Sequence, residues 1–244
     1  MRIVLQSSIL VMALVATAPL QAEDWKHEIA PYLWGSGLDG TTGAGPVTVD
    51  VDADFGDILD HLELGFMGMY RASRDRLSIT VDGIYSQLES DGTGPIELVR
   101  GEVELEQTLL EVDVGYAVTE HLVMFGGLRY NDVTTKVSAT GPLGNTLSGE
   151  IDEDWTDPVI GARYTWPFSE QWSVTLRGDI GGFGVGSDFA WQGAATLRWQ
   201  SSPRFGVLAA YRYIYADFED GSGSDFFKYD MAMHGPALGV VFSF

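Results

Sequence analysis

Trp172-Ser173-Val174-Thr175-Leu176-Arg177-Gly178-Asp179-Ile180 sets Trp172, Val174, Leu176 and Ile180 on one parity and Ser173, Thr175, Arg177 and Asp179 on the other. A period of two belongs to an extended strand, whose successive side chains point to opposite faces. One face here is greasy and the other carries full charges. The pattern repeats on both sides of this stretch. Downstream, Trp191, Gly193, Ala195, Leu197 and Trp199 alternate with Gln192, Ala194, Thr196, Arg198 and Gln200. After Ser201-Ser202-Pro203 it resumes with Val207, Ala209, Tyr211, Tyr213 and Tyr215 against Ala210 and Arg212. Upstream, Leu64, Phe66 and Tyr70 oppose Glu63, Met67 and Arg71, and Leu77, Ile79, Val81 and Tyr85 oppose Ser78, Thr80, Asp82 and Ser86.

Carried along the chain, this alternation predicts ten strands, at about 26–35, 62–73, 76–90, 100–117, 121–138, 156–167, 171–184, 188–200, 204–217 and 229–244. An even number closes a single-chain antiparallel barrel. The expected fold is all-β, a transmembrane antiparallel up-and-down β-barrel of ten strands. Val47 to Phe55 also alternates and sets twelve as one alternative; eight follows if two segments are loops. Short connections at Ser73–Asp75, Thr119–His121, Phe168–Glu170 and Ser201–Pro203 alternate with mostly longer ones. The longest of these, about 36–61 and 139–155, are expected as acidic extracellular loops.

Composition narrows the class. Lys and Arg number 14 against 35 Asp and Glu, a net charge of -21, which is the reverse of the basic footprint that nucleic acid demands. Disordered chains are poor in aromatics, whereas 12% of this one is Phe, Trp and Tyr. There is no cysteine, so neither disulfides nor thiolate metal sites contribute. Met1-Arg2, the apolar run Ile9 to Ala18 and the polar turn at Glu23 read as a secretory signal peptide, 1–22, ahead of a mature 23–244. A soluble secreted β-sandwich also alternates. It lacks a reason, however, to end its strands in aromatics, as Trp25, Tyr32, Trp34, Tyr116, Tyr130, Tyr164, Trp166, Trp172, Trp199, Tyr215 and Phe244 would do here.

The chain ends Leu238-Gly239-Val240-Val241-Phe242-Ser243-Phe244. This resembles the carboxy-terminal insertion signal of bacterial outer-membrane proteins, with Phe242 and Phe244 as its aromatic positions. Pro31-Tyr32-Leu33-Trp34, Asp157-Pro158-Val159-Ile160-Gly161-Ala162-Arg163-Tyr164, Gly178-Asp179-Ile180-Gly181-Gly182-Phe183 and Tyr211-Arg212-Tyr213 resemble a bacterial outer-membrane β-barrel protein family without a well-established activity. The resemblance implies residence in the bacterial cell outer membrane, contact with its lipid and lipopolysaccharide, and handling by periplasmic chaperones and the barrel-assembly machinery. It implies no catalytic residues, and a monomer is the default.

Strand parity points Arg71, Arg129, Arg163, Arg177, Arg198 and Arg212 into the lumen, together with Glu63, Asp82, Glu111, Asp113 and Asp179. Such numbers suit a paired guanidinium–carboxylate network. Two readings stay open: the network fills a narrow barrel, or it lines a small-solute conduit in which arginines orient an anionic or polar group. Asp50, Asp52 and Asp54 form an oxygen-only row of the kind that suits calcium or magnesium, but Phe55 and the lack of a closing Glu exclude an EF-hand. No other cofactor is expected. Glu102, Glu104 and Glu106, and Glu150, Asp152, Glu153 and Asp154, form further acidic rows, read as solvated. A barrel hydrolase acting on envelope lipid or peptide is the catalytic alternative. It would need an outer-rim histidine, and His61 beside Asp57 and Asp60 or His234 beside Asp230 are its candidates.

Overall fold

The computed structural model describes residues 25–45, 47–56, 58, 62–93, 100–140 and 146–244. The expected signal segment, 1–22, lies outside the described residues. Twelve strands follow in order: β1 (Lys26–Trp34), β2 (Gly37–Ala44), β3 (Val47–Ala53), β4 (Leu62–Arg74), β5 (Leu77–Thr93), β6 (Arg100–Ala117), β7 (Leu122–Thr140), β8 (Thr146–Pro167), β9 (Trp172–Gly182), β10 (Phe189–Ser202), β11 (Phe205–Asp220) and β12 (Phe227–Ser243). Ten of them, β1 and β4 to β12, close into an antiparallel ring as β12 returns to β1.

At the seam Glu28 faces Ser243 and Trp34 faces Ala237. The other edge of β1 pairs with β4 from Lys26 opposite Ser73 to Pro31 opposite Gly68. Phe244 finishes the seam: its N–H donates to the His27 carbonyl at 3.0 Å, and its carbonyl accepts the His27 N–H at 2.9 Å. Both edges are thereby paired, which is what removes the exposed-edge problem of an open sheet.

The two remaining strands correct the expected outer loop at 36–61. β1 has 9 residues and β12 has 17, so β1 covers only the part of β12 nearest the termini. The chain passes Gly35-Ser36 and continues as β2 along the rest of β12, from Gly37 opposite His234 to Ala44 opposite Phe227. β3 then folds back on β2, from Val47 opposite Ala44 to Ala53 opposite Leu38. The alternation at 47–55 is therefore a real strand, yet it adds a hairpin beside the ring and leaves the barrel at ten. A Cβ on Gly235 would collide with the Gly35 carbonyl, so the crossing tolerates only glycine at that point.

The second expected long loop, 139–155, is corrected as well. β7 and β8 pair from Leu122 opposite Tyr164 to Thr140 opposite Thr146. With 22 residues, β8 has about twice the roughly 9–11 needed to cross a hydrocarbon core. Its first half stands beyond the apolar belt. Out there no lipid selects apolar side chains, the alternation lapses, and a period-two reading stops near Thr156.

The belt itself is plain on the outer wall. Leu110, Val112, Val114 and Tyr116 of β6 and Ile160, Tyr164 and Trp166 of β8 are all exposed. At the turn end, Trp166 meets Phe168 at 6.0 Å, Trp172 meets Trp199 at 6.3 Å and Phe205 meets Phe242 at 5.6 Å. At the far border Trp191 stacks on Tyr213 at 4.6 Å and Phe189 meets Tyr215 at 6.5 Å. Between these borders, Val207 to Tyr215 of β11 rises about 20 Å at the usual strand rise and tilt, close to the roughly 25 Å band of such barrels.

Two expected girdle residues face inward instead. Trp34 is buried and donates its indole N–H to the Gly235 carbonyl at 3.1 Å, and Tyr32 donates its hydroxyl to Asp82 at 2.9 Å. β1 is apolar on both faces, with Ala30 buried and Ile29 and Leu33 exposed, so its sequence does not declare which face is inner.

Candidate functional site

Of the eleven residues that strand parity points into the lumen, the structure brings together ten; the eleventh, Glu63, has a side chain outside those described. At mid-height Arg129 is fully buried and donates through Nε to Glu111 at 2.8 Å and through Nη2 to Asp179 at 2.7 Å. Arg177 donates to the same two carboxylates, through Nε to Asp179 at 2.9 Å and through Nη2 to Glu111. Glu111 and Asp179 thus each lie between two guanidinium groups. Taking an ion out of water costs several kcal/mol, and a pair offsets this only with good geometry and further hydrogen bonds. Glu111 and Asp179 meet both conditions, while Arg129 Nη1 is buried without a hydrogen-bond partner among the described residues. Gln192 Oε1 accepts from Arg129 and Arg212 at 3.1 Å each, and Arg212 donates to Asp82 at 2.9 Å and to the Tyr32 hydroxyl at 3.0 Å. Arg177 also lies over the Phe125 ring at 4.6 Å, and Arg212 over Trp34 at 5.4 Å.

Towards the turn end the pairing loosens. Asp113 stands 3.7 Å from Arg163 and 3.8 Å from Arg177, beyond direct hydrogen-bond reach. Glu28 is held by Arg198 at 2.7 Å and stands 3.7 Å from Arg71. Arg71 and Arg163 converge on a single acceptor, the buried Thr80 hydroxyl, at 3.4 and 3.1 Å. Beside them lies a cavity of about 170 Å³ lined by Arg71, Arg163, Arg177, Arg198 and Arg212 against Glu28 and Asp82. Side-chain exposure falls from 28% at Arg71 and 26% at Arg198 to 1% at Arg129, so the cavity opens towards the turns and closes at mid-height.

Above the charges the lumen turns apolar. Trp34, Ile84, Leu109, Ile214 and Met233 form one buried layer. Val133, Trp155, Ala190, Phe218, Phe227, Tyr229 and Met231 form a second, against which Leu38 and Val51 of the β2–β3 hairpin pack. Trp155 stacks on Phe218 at 4.4 Å and 6° and meets Tyr229 at 5.2 Å. Tyr229 accepts a hydrogen bond from Gln107 at 3.1 Å. Asp157, also wholly buried, accepts the Ser187 N–H at 2.6 Å, the Ser187 hydroxyl at 2.9 Å and the Trp155 indole N–H at 3.2 Å. It ties the β9–β10 turn to the inside of the wall.

Glu28 and Asp157 are the inward carboxylates that sequence reading missed. Asp157 lies within the expected strand 156–167 and shares parity with Arg163, so parity alone pointed it inward; Trp155, of the same parity, lies one residue before that expected start. Glu28 sits on the ambiguous β1, and the Glu63 side chain is not among those described. Asp50 and Asp52 are exposed on β3 and Asp54 just beyond it; Asp50 accepts from the Thr41 hydroxyl at 2.9 Å. Among the described residues no three His, Asp or Glu groups converge as a metal site would require. The acidic rows fall on strands: Glu104 and Glu106 on β6, and Asp152 to Asp154 on β8. Of the two candidate catalytic pairs, His61 with Asp57 and Asp60 lies outside the described residues. The other is not formed: His234 bonds the Tyr211 hydroxyl at 3.0 Å, while Asp230 accepts from Tyr215 at 2.8 Å.

No protein-family model and no curated protein matches the chain. Among solved structures, the outer membrane protease OmpT from Escherichia coli aligns with a TM-score of 0.57 at 8% identity, covering 94% of this chain and 99% of that one. The fold is that of an outer-membrane β-barrel. The translocator domain of the autotransporter NalP from Neisseria meningitidis matches at 17% identity and a TM-score of 0.49 over 89% of this chain and 88% of that one. Ail, the attachment invasion locus protein of Yersinia pestis, matches at 12% identity and a TM-score of 0.38 over 91% and 99%. Identities this low relate the barrel's architecture and leave the side chains of its lumen to be read on their own terms.

Proposed function

We propose that the protein resides in the bacterial outer membrane as a non-catalytic barrel with a sealed lumen, a structural and surface component and not a solute conduit. The observation that carries this reading is the double apolar layer across the loop half of the lumen, from Trp34 and Leu109 up to Trp155 and Phe218. Packed apolar side chains exclude the continuous water a conduit needs. The charges below them favour the same reading, since Glu111, Asp179 and Arg129 are committed to one another. A non-catalytic role is supported by the outer-wall histidines. His27 stacks between Tyr70 and Phe244, His121 lies edge-on to Tyr164, and His234 stacks on Tyr213.

In the membrane, Glu104, Glu106, Asp132, Asp152 and Asp154 would stand just outside the belt, beside lipopolysaccharide headgroups. The terminal Phe244, already seated in the seam, would be presented to the assembly machinery during insertion. Swelling of proteoliposomes in small sugars tests the sealed lumen. Protein that shows heat-modifiable gel migration is expected to leave the vesicles as tight as protein-free controls, and sugar entry at porin-like rates would overturn the reading.

A further inference from the structure

The geometry points to an anion-binding site in the turn-end cavity, built on Arg71 and Arg163, that takes a small oxyanion of phosphate or short polycarboxylate type. Each guanidinium carries five N–H donors. Among the described residues Arg71 and Arg163 together make three hydrogen-bonded contacts, two to the one Thr80 hydroxyl and one from Arg71 to the Met69 thioether at 3.6 Å, and Arg163 lies over the Phe125 ring at 5.3 Å. A thioether is a poor acceptor. The carboxylates that ought to complete them stand off at 3.7 Å, Glu28 because Arg198 holds it and Asp113 with its Oδ1 lacking any hydrogen bond. Two cations converging on one neutral oxygen repel each other, and a dianion between them would remove the repulsion and fill the open donors.

The rest of the cavity agrees. Five arginines line it against two carboxylates. Among the described lumen residues, the six named arginines are balanced by six carboxylates, counting Glu28 and Asp157, so the positive excess is local to this cavity. Arg212, a lining residue with its side chain only 9% exposed, keeps an unpaired Nε. Small residues on the facing wall, Ala194, Thr196 and Ala210, leave the space, about five or six water volumes in 170 Å³. Entry is from the turn end, where β1 begins and β12 finishes; with the acidic strand extensions beside lipopolysaccharide, as proposed above, that end faces the periplasm. The site does not depend on the sealed lumen: a leaky barrel could still bind, and a tight one could fail to.

Titration calorimetry on the refolded full chain in detergent at low salt, with inorganic phosphate, sulfate and citrate as separate probes, tests the site. Saturable binding of at least one probe is expected in the wild type, weakened about tenfold or more by Arg71→Gln and by Arg163→Gln, the scale of one lost charge-assisted hydrogen bond. Glu28→Gln removes the carboxylate that competes for Arg71 and is expected to tighten binding several-fold. This variant keeps the test decisive if either arginine variant fails to show heat-modifiable folding. No saturable binding of any probe to folded wild type would overturn the proposal. So would binding that neither the arginine variants nor Glu28→Gln alters.

Discussion

Glu111→Gln is the most informative single change in the lumen. The Glu111 carboxylate is 1% exposed; its Oε2 lies 2.8 Å from Arg129 Nε and 2.6 Å from Arg129 Nη2, and its Oε1 takes Arg177. Glutamine keeps the size but brings an NH₂ that must face one of those guanidinium groups, donor against donor. Asp179 is then the one carboxylate still hydrogen-bonded to both buried cations. Removing one partner of a buried pair costs about 3–5 kcal/mol, and because Asp179 bonds both arginines the lower end, about 3 kcal/mol, is expected. Urea unfolding in lipid vesicles, followed by tryptophan fluorescence and by gel migration, measures it. Adding Arg129→Met to Glu111→Gln should cost little more than Glu111→Gln alone, since the uncompensated charge goes with it. A cost below about 1 kcal/mol for Glu111→Gln, or simple additivity in the double variant, would refute a dry, mutually committed network.

Three further outcomes follow from other parts of the barrel. Trp155→Ala removes the ring stacked on Phe218 and the indole donor to Asp157, and should cost about 3–5 kcal/mol in the same urea assay. Gly235→Ala drives a Cβ into the Gly35 backbone and should lower the yield of heat-modifiable folded protein, whereas Gly178→Ala, at an open position, should not. Beyond the belt, burial first and then neighbouring carboxylates hold Glu153 above the usual carboxylate range; burial also raises Asp132, partly offset by the Tyr130 hydrogen bond, with Asp152 adding to the rise at both. A raised folded-state value means that ionisation opposes folding, so this contribution is least harmful in acid and destabilises as pH rises through those values. Asp152→Asn should therefore lower both titrations in carboxyl-carbon NMR and stabilise the extension at pH 7 by roughly 0.2–1 kcal/mol.

Most of the ring was legible because lipid imposes a strict chemical contrast on a strand. Wherever both the belt and the lumen acted on the same residues, as from Trp172 to Ile180, period two located the strand to within a few residues. The same contrast found the lumen arginines, since a guanidinium flanked by Leu176 and Gly178 has one sensible side to face. The failures share a cause. On β1 both faces are apolar, so Tyr32 and Trp34 were read as girdle when they are lumen, and Glu28 went unassigned. Beyond the belt both faces meet water or protein, so the paired ends of β7 and β8 looked like loop. Neither the β2–β3 hairpin's place on β12 nor the apolar cap follows from alternation, because each depends on which strands meet across the ring.

The sealed lumen is the claim on which the functional account turns, and single-channel recording in a planar bilayer addresses it most directly. Folded protein inserted in one orientation, at molar salt and voltages of either sign, is predicted to give a flat trace, with openings appearing when Trp155→Ala and Phe218→Ala are combined to thin the cap. Steady, ohmic single-channel steps from the wild type would contradict it.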